Sequence, residues 1–198
     1  MNIVPLFPNT LTVDLVEENT DELKEHDESF YGTEYGSGSK ASKDIRVLKK
    51  YPRIEKLLLK KFDKVVKLMS WKTEFIITTS WFTECSAGDE SQVHLHRNSF
   101  YSGVYYYDDY EDKSGCIKFE SPVSNLSSFY ILSEESNLYN SFYWKIPPEK
   151  NKLLFFPSYL KHKICKHDGK DVRKSLAFNI VPVGKYGDGD STYNTSWT

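Results

Sequence analysis

Residues 92–107 read Gln92-Val-His-Leu-His-Arg-Asn-Ser-Phe-Tyr-Ser-Gly-Val-Tyr-Tyr-Tyr107. The pattern predicts a β-strand, a short turn and a second β-strand, with two histidines one residue apart. Because residues i and i+2 of a strand face the same side, we expect His94 and His96 side by side and Leu95 pointing away. Two adjacent imidazoles are poor core material, but they supply half of a metal site.

Further strand-like segments surround this stretch, and turn-type residues separate them. The predicted strands are 74–85, 92–97, 101–108, 115–120, 128–132, 139–146, 153–156, 162–166 and 172–183. No helical pattern lies between these segments, so their spacing favours a jelly roll or a barrel over a parallel sheet.

The first 70 residues have a different pattern. We predict an edge strand within 1–16, a mobile Gly/Ser-rich loop at 31–43 and an amphipathic helix at 49–69, whose apolar residues recur every three or four positions. The segment after Gly184 is rich in turn residues and is expected to be a surface loop. We therefore expect one mainly β domain over 1–198, with a jelly-roll core at 71–198 and the helix supporting it from outside.

Composition excludes several classes of protein. A net charge of −2 over 198 residues gives no general attraction to nucleic acid or to an anionic membrane. Cys85, Cys116 and Cys165 are widely spaced and form no CxxC motif, which indicates a reducing compartment rather than a disulfide framework. With neither a signal peptide nor a long apolar run in view, we expect a soluble cytoplasmic protein.

His162 is the candidate third metal ligand. It follows an apolar strand and a turn and opens the next strand, which is a rigid position at a barrel rim where it could meet His94 and His96. The alternative is that the three are ordinary core or surface histidines. His26 and His167 are expected to be exposed and passive.

Arg173 shares one predicted strand face with Ser175, Ala177 and Asn179. An arginine among apolar residues on an inner strand is costly to bury without an anion. One explanation is a ligand carboxylate held by both arms of the guanidinium with help from the Ser175 hydroxyl. The other is a salt bridge to Glu84 or Glu120.

Three ordered motifs resemble those of the Fe(II)- and 2-oxoglutarate-dependent oxygenases, and most closely a prolyl-hydroxylase-like branch from marine bacteria and their phages. The motifs are His94-x-His96-x-Asn-Ser-x-x-Ser-Gly-Val-Tyr-Tyr106, Phe156-Pro-Ser-x-Leu-x-His162 and Arg173-x-Ser-x-Ala-Phe-Asn179. The resemblance runs from about Ser80 to Tyr193. It implies a double-stranded β-helix fold, and a cytoplasmic location in the host if a phage encodes the chain.

The resemblance also implies residue roles and an activity. His94 and His162 would bind Fe(II), and Arg173, with Ser175, would hold the distal carboxylate of 2-oxoglutarate. Tyr106 would lie against the same carboxylate, and Asn179 would face the metal near substrate or O2. The reaction would be hydroxylation of a protein side chain or a small molecule, with release of succinate and CO2.

His96 departs from the family pattern, which has a carboxylate at this position. As the third ligand it would make the site one unit more positive, and three histidines also suit Zn, Ni or Cu. Alternatively, His96 lies behind the ligands and water completes the site.

Two other classes stay open. A cupin would bind metal without 2-oxoglutarate, and Gly88 and Pro157 stand near cupin spacing before His94 and His162. A jelly-roll binding module without enzymatic activity would bind neither.

Overall fold

Antiparallel β-structure dominates the computed structural model, which describes residues 2, 8–32, 37–123 and 131–197. The strands of this part of the chain are β1 Thr12–Leu15, β2 Phe30–Gly32, β3 Lys40–Ser42, β4 Glu74–Cys85, β5 Tyr101–Tyr105, β6 Ile117–Glu120, β7 Tyr143–Ile146, β8 Lys152–Pro157, β9 His162–Ile164, β10 Arg173–Tyr186 and β11 Tyr193–Thr195. Its helix is α1, Pro52–Leu68, and short 3-10 turns cover Asp21–Leu23, Val47–Lys50 and Gly189–Ser191.

The strands form two sheets. The larger sheet has the order β1-β8-β5-β10-β4-β3-β2, with β11 paired to β10, and the smaller sheet has the order β7-β6-β9. Every strand pair is antiparallel. This arrangement confirms the predicted mainly β, double-stranded β-helix class.

Helix α1 covers the outer face of the larger sheet. Its apolar stripe is buried, and the Phe62 ring lies 5.5 Å from Tyr101 and 5.2 Å from Phe155, which belong to β5 and β8. Pro52 occupies the first turn, where a missing N–H costs nothing, so the α-helix begins there. The predicted supporting helix is thus confirmed, although residues 47–50 form a 3-10 turn.

A second apolar cluster lies on the other face of the larger sheet, against the smaller sheet. Val104 lies on β5 and Tyr106 directly follows it, Phe156 lies on β8, and Ile117 and Phe119 lie on β6. Side chains alternate between the two faces of β5, so Tyr101 and Tyr105 pack toward the helix while Val104 packs between the sheets.

Three local predictions need correction. The 31–43 segment is not simply a loop, since β2 and β3 pair with each other and β3 joins β4; residues 33–36 lie outside the described residues. The segment after Gly184 continues β10 and pairs with β11. Of the predicted strand 128–132, only Ile131 and Leu132 are described, and they are exposed and not in a strand.

The predicted edge strand within 1–16 corresponds to β1, which pairs with β8 at the edge of the larger sheet. The part of that prediction around Pro5 lies outside the described residues. In the described part of the chain, no helix is both long enough and apolar enough to cross a membrane.

Candidate metal and cosubstrate site

The segment carrying His94 and His96 is extended, but the prediction of a strand over 92–97 is wrong, because the segment does not pair continuously with a neighbouring strand. Its one bridge joins His94 to His162, whose backbones exchange two hydrogen bonds of 2.9 Å. The His96 amide then donates to the Ser158 carbonyl at 3.0 Å, and Asn98 turns the chain toward β5 with a φ of 57°. The extended backbone still places both histidines on one side.

The three predicted histidines converge. Ring centroids are 4.4 Å apart for His94 and His162, 5.0 Å for His96 and His162, and 5.2 Å for His94 and His96. One nitrogen of each ring lies within 4.8 Å of the others, and within the described residues this is the one group of three or more His, Cys, Asp or Glu side chains so arranged. Three imidazoles at this spacing can hold a divalent metal ion.

Backbone carbonyls fix the orientation of two rings. The Nδ1 of His94 lies 2.9 Å from the Gln92 carbonyl, and that of His162 lies 2.9 Å from the Leu160 carbonyl. A carbonyl only accepts, so each Nδ1 carries the proton and donates, which leaves the Nε2 lone pair free for a metal.

The site keeps its buried rings neutral. Burial, followed by the charges of His94 and His96, lowers the pKa of His162 to about 3. Burial, followed by His94, lowers the pKa of His96 to about 4. Near pH 7 both rings are therefore unprotonated, and protons do not compete with a metal for them.

Arg173 is buried next to this group with 2% of its surface exposed. Its Nε donates to the Gly115 carbonyl at 2.8 Å, its Nη1 to the Ser175 hydroxyl at 3.3 Å and its Nη2 to the Tyr106 hydroxyl at 3.2 Å. All three acceptors are neutral. No carboxylate of the described residues pairs with Arg173, so the salt bridge to Glu84 or Glu120 is not formed there.

One cavity of about 300 Å³ contains both features. This volume is at the small end of the range for ligand sites. The lining includes the three histidines, Arg173 and Ser175 together with Ser39, Lys40, Ala41, Trp81, Thr83, Ser91, Gln92, Val93, Val104, Ile117, Ile164 and Ala177. A small dianion chelating a metal at the histidines would have a cationic partner in the same cavity.

Two predicted site residues do not line the cavity. Tyr106 is fully buried behind Arg173 and contacts its guanidinium. Asn179 accepts from the Ser102 hydroxyl at 2.8 Å and donates to the Thr79 hydroxyl at 3.0 Å. Its amide is therefore engaged between strands and is not part of the cavity lining.

Trp81 lines the cavity, 5.4 Å from the His96 ring. Tyr101 and Tyr105 lie in the core under α1, and Tyr143 and Trp144 are exposed on β7. Sequence reasoning missed Thr83, whose hydroxyl is 2.6 Å from that of Ser175. Thr83 is two residues after Trp81 on β4, so strand alternation was the available signal.

His26 and His167 were expected to be exposed, and both predictions are wrong. His26 is half-buried and stacks on Phe82 with centroids 4.1 Å apart. His167 is fully buried; it accepts from the Gly115 amide at 3.3 Å and donates to the Asp171 carbonyl at 2.6 Å. Both rings are parts of the packing and lie outside the cavity lining.

Comparison with known families agrees with this geometry. A family model described as "Putative 2OG-Fe(II) oxygenase" matches residues 79–179, which include all three motifs. The chain belongs to this family of Fe(II)- and 2-oxoglutarate-dependent oxygenases. Comparison with curated proteins gave no match.

Solved structures of similar fold include HygX from Streptomyces hygroscopicus with nickel and 2-oxoglutarate bound, at TM-score 0.59 and 11% identity over 88% of this chain and 83% of that one. A prolyl-4-hydroxylase from Pseudomonas putida aligns at TM-score 0.52 and 12% identity over 86% and 92% of the two chains. An oxidoreductase of the 2OG-Fe(II) oxygenase family from Burkholderia pseudomallei aligns at TM-score 0.56 and 10% identity over 78% of this chain and 72% of that one. At these identities the likeness establishes the fold.

Proposed function

We propose that the chain hydroxylates an organic substrate with Fe(II), O2 and 2-oxoglutarate, releasing succinate and CO2, and that the cavity described above is its active site. The observation that carries the proposal is Arg173. A buried guanidinium without a carboxylate partner in the described residues shares a cavity with three convergent histidines. A buried charge of this kind is costly unless a ligand anion compensates it.

His94, His96 and His162 are proposed as the metal ligands. Their ring nitrogens meet within one small region, and the carbonyl-fixed Nδ1 protons of His94 and His162 direct Nε2 to the ion. When bound there, Fe(II) supplies the activation of O2 that is coupled to oxidation of 2-oxoglutarate. The apolar walls formed by Trp81, Val104 and other residues exclude water from the reacting atoms.

Arg173 is proposed to bind the distal carboxylate of 2-oxoglutarate. The Gly115 carbonyl holds Nε, and the Ser175 and Tyr106 hydroxyls hold the two Nη atoms in place. Tyr106 thus positions the guanidinium from behind, and Ser175, which lines the cavity, can itself donate to the bound carboxylate. The remaining guanidinium hydrogens are available to the ligand.

The relatives of similar fold support this proposal by what they bind, since HygX holds nickel and 2-oxoglutarate. The substrate class is left open between a prolyl or other protein side chain and a small molecule. The marine bacterial and phage branch, the cytoplasmic location, the lack of a nucleic-acid partner and the single domain over 1–198 stay predictions.

Anaerobic titration of the Fe(II)-loaded protein with 2-oxoglutarate tests the proposal. We expect a saturable visible charge-transfer band, and we expect His162→Ala to abolish metal binding and the band together. Metal binding without 2-oxoglutarate binding would favour a cupin-type protein, and binding of neither would leave a structural module; either result contradicts the proposed function.

A further inference from the structure

Cys116 and Cys165 are directly opposite each other beside the cavity. The register of β6 and β9 pairs Ile117 with Ile164, so the next residues outward are the two cysteines. The Cys165 amide donates to the Cys116 carbonyl at 2.8 Å, which extends the ladder by one pair. Both thiols are free and half-buried.

The geometry of this pair is close to that of a disulfide. Opposed residues in a hydrogen-bonded antiparallel pair have Cα atoms about 5.5 Å apart, within the range of about 4.4–6.8 Å for disulfides. Their side chains point to the same face of the sheet, which also carries Lys118 and Lys163, while Ile117 and Ile164 face the cavity.

A bond between the two thiols would be strained. Cβ atoms in such a pair are about 5.5 Å apart, whereas a disulfide needs about 3.5–4.5 Å, so the strand ends have to approach each other. Strain makes a disulfide easy to reduce, which suits a reversible modification and not a structural crosslink.

The backbone next to this pair holds the proposed cosubstrate arginine. Gly115 precedes Cys116, and its carbonyl accepts from Arg173 Nε at 2.8 Å. Gly115 also lies so close to Cys165 that a Cβ on it would be 2.3 Å from the Cys165 carbonyl oxygen. Any approach of the two cysteine backbones therefore moves the acceptor that fixes Arg173.

We propose that Cys116 and Cys165 are a peroxide-sensitive thiol pair whose disulfide weakens 2-oxoglutarate binding by displacing the Gly115 carbonyl from Arg173. Hydrogen peroxide takes two electrons and the two thiol protons from the cysteines, giving one S–S bond and two water molecules. A dithiol reductant reverses the change. The effect on 2-oxoglutarate rests on the proposed function, whereas formation of the disulfide does not.

Cys85 provides an internal control. It is fully buried, and burial raises the pKa of its thiol to about 11, so it carries little of the reactive thiolate. After the same peroxide treatment, Cys85 should be the one cysteine that is still a free thiol.

The test uses the full chain, oxidised without metal by hydrogen peroxide, freed of peroxide and then loaded with Ni(II). Peptide mapping should find a Cys116–Cys165 link, and calorimetric titration should show 2-oxoglutarate affinity lowered by roughly fivefold, as expected when one charge-assisted hydrogen bond is disturbed. Dithiothreitol should restore both. The variants Cys116→Ser and Cys165→Ser should keep their affinity through the treatment, and Cys85→Ala should respond like the unmodified chain.

Two outcomes overturn the proposal: peroxide that leaves the pair unlinked, or a mapped link that leaves the affinity unchanged. Failure of the reduced protein to bind 2-oxoglutarate counts against the proposed function instead. The peptide map still decides whether the disulfide forms.

Discussion

His94 and His162 are joined by two backbone hydrogen bonds of 2.9 Å, one in each direction. The first two of the three motifs are therefore connected by main chain, and the ring centroids of these two histidines lie 4.4 Å apart. Because the peptide groups set this spacing, the site is preorganised, and binding a metal does not have to bring the two ligands together.

Replacing Arg173 with alanine should separate cosubstrate binding from metal binding. We expect 2-oxoglutarate affinity to fall at least tenfold, ~1.4 kcal/mol or more, because the cationic partner of the distal carboxylate is lost. Metal affinity should be unchanged, since the histidines do not depend on Arg173. Calorimetric titration of the Ni(II)-loaded variant with 2-oxoglutarate measures the effect.

The matched control for this experiment is Arg53→Ala. Arg53 is exposed on α1, pairs with Glu22 and is not part of the cavity lining, so its loss should leave 2-oxoglutarate affinity unaltered. Arg173→Lys keeps the charge but not the two-armed geometry and should fall between the two. Equal affinities in all these variants would remove Arg173 from the cosubstrate site.

His96→Asp should change which metal the site prefers. An aspartate restores the carboxylate that the family usually has at this position and lowers the charge of the site by one unit. Since carboxylates suit Fe(II) and three imidazoles suit Zn and Cu, we expect Fe(II) binding to persist and the preference for Zn(II) over Fe(II) to drop by about tenfold.

Anaerobic competition between the two metals measures this preference. His96→Gln is the control, because it removes the imidazole without adding a charge. A preference that stays the same in His96→Asp would mean that His96 is not a ligand.

Long, regular patterns in the sequence determined what could be predicted about the fold. Strand β4 was predicted with its bounds, Glu74–Cys85, because eight of its twelve residues are β-branched or aromatic. Helix α1 was likewise evident from its apolar stripe. Convergence of the three histidines followed from strand alternation combined with the family motif order.

Features that depend on distant partners could not be predicted. Whether residues 92–97 form a ladder depends on β9, which ends at Ile164 and offers His94 a single bridge. The amide of Asn179 is occupied by Ser102 and Thr79, which lie on the two neighbouring strands. Neither relationship is encoded in the local pattern around the residue concerned.

Acid should destabilise the metal-free protein through its buried histidines. The pKa of His162 is lowered to about 3 in the folded state from an ordinary value of 6.5. Below pH 6.5 the unfolded chain therefore binds a proton that the folded chain does not, so the unfolding free energy is greatest above this pH and declines as pH falls toward 3.

Urea denaturation of the metal-free protein at a series of pH values between 6.5 and about 4 would show this decline. The variant His162→Gln keeps a donor for the Leu160 carbonyl but cannot titrate, so its decline should be shallower. Parallel curves for the two proteins would indicate that His162 binds its proton normally in the folded state.

Gly103→Ala should test the packing that places β5 against β10. Gly103 is directly opposite Phe178, and a Cβ on Gly103 would be 2.2 Å from the tip of the Phe178 ring, which is buried and has little room to move. Overpacking of this kind typically costs about 1–3 kcal/mol, so we expect a loss of that size in the free energy of unfolding. Gly32→Ala is the control, because none of the residues that the structure describes has an atom within 4 Å of the added methyl there. Equilibrium urea denaturation compares the variants. Phe178→Leu added to Gly103→Ala should recover part of the loss, since the smaller side chain vacates the space that the new methyl needs. A Gly103→Ala protein as stable as the parent would contradict the close approach of the two strands.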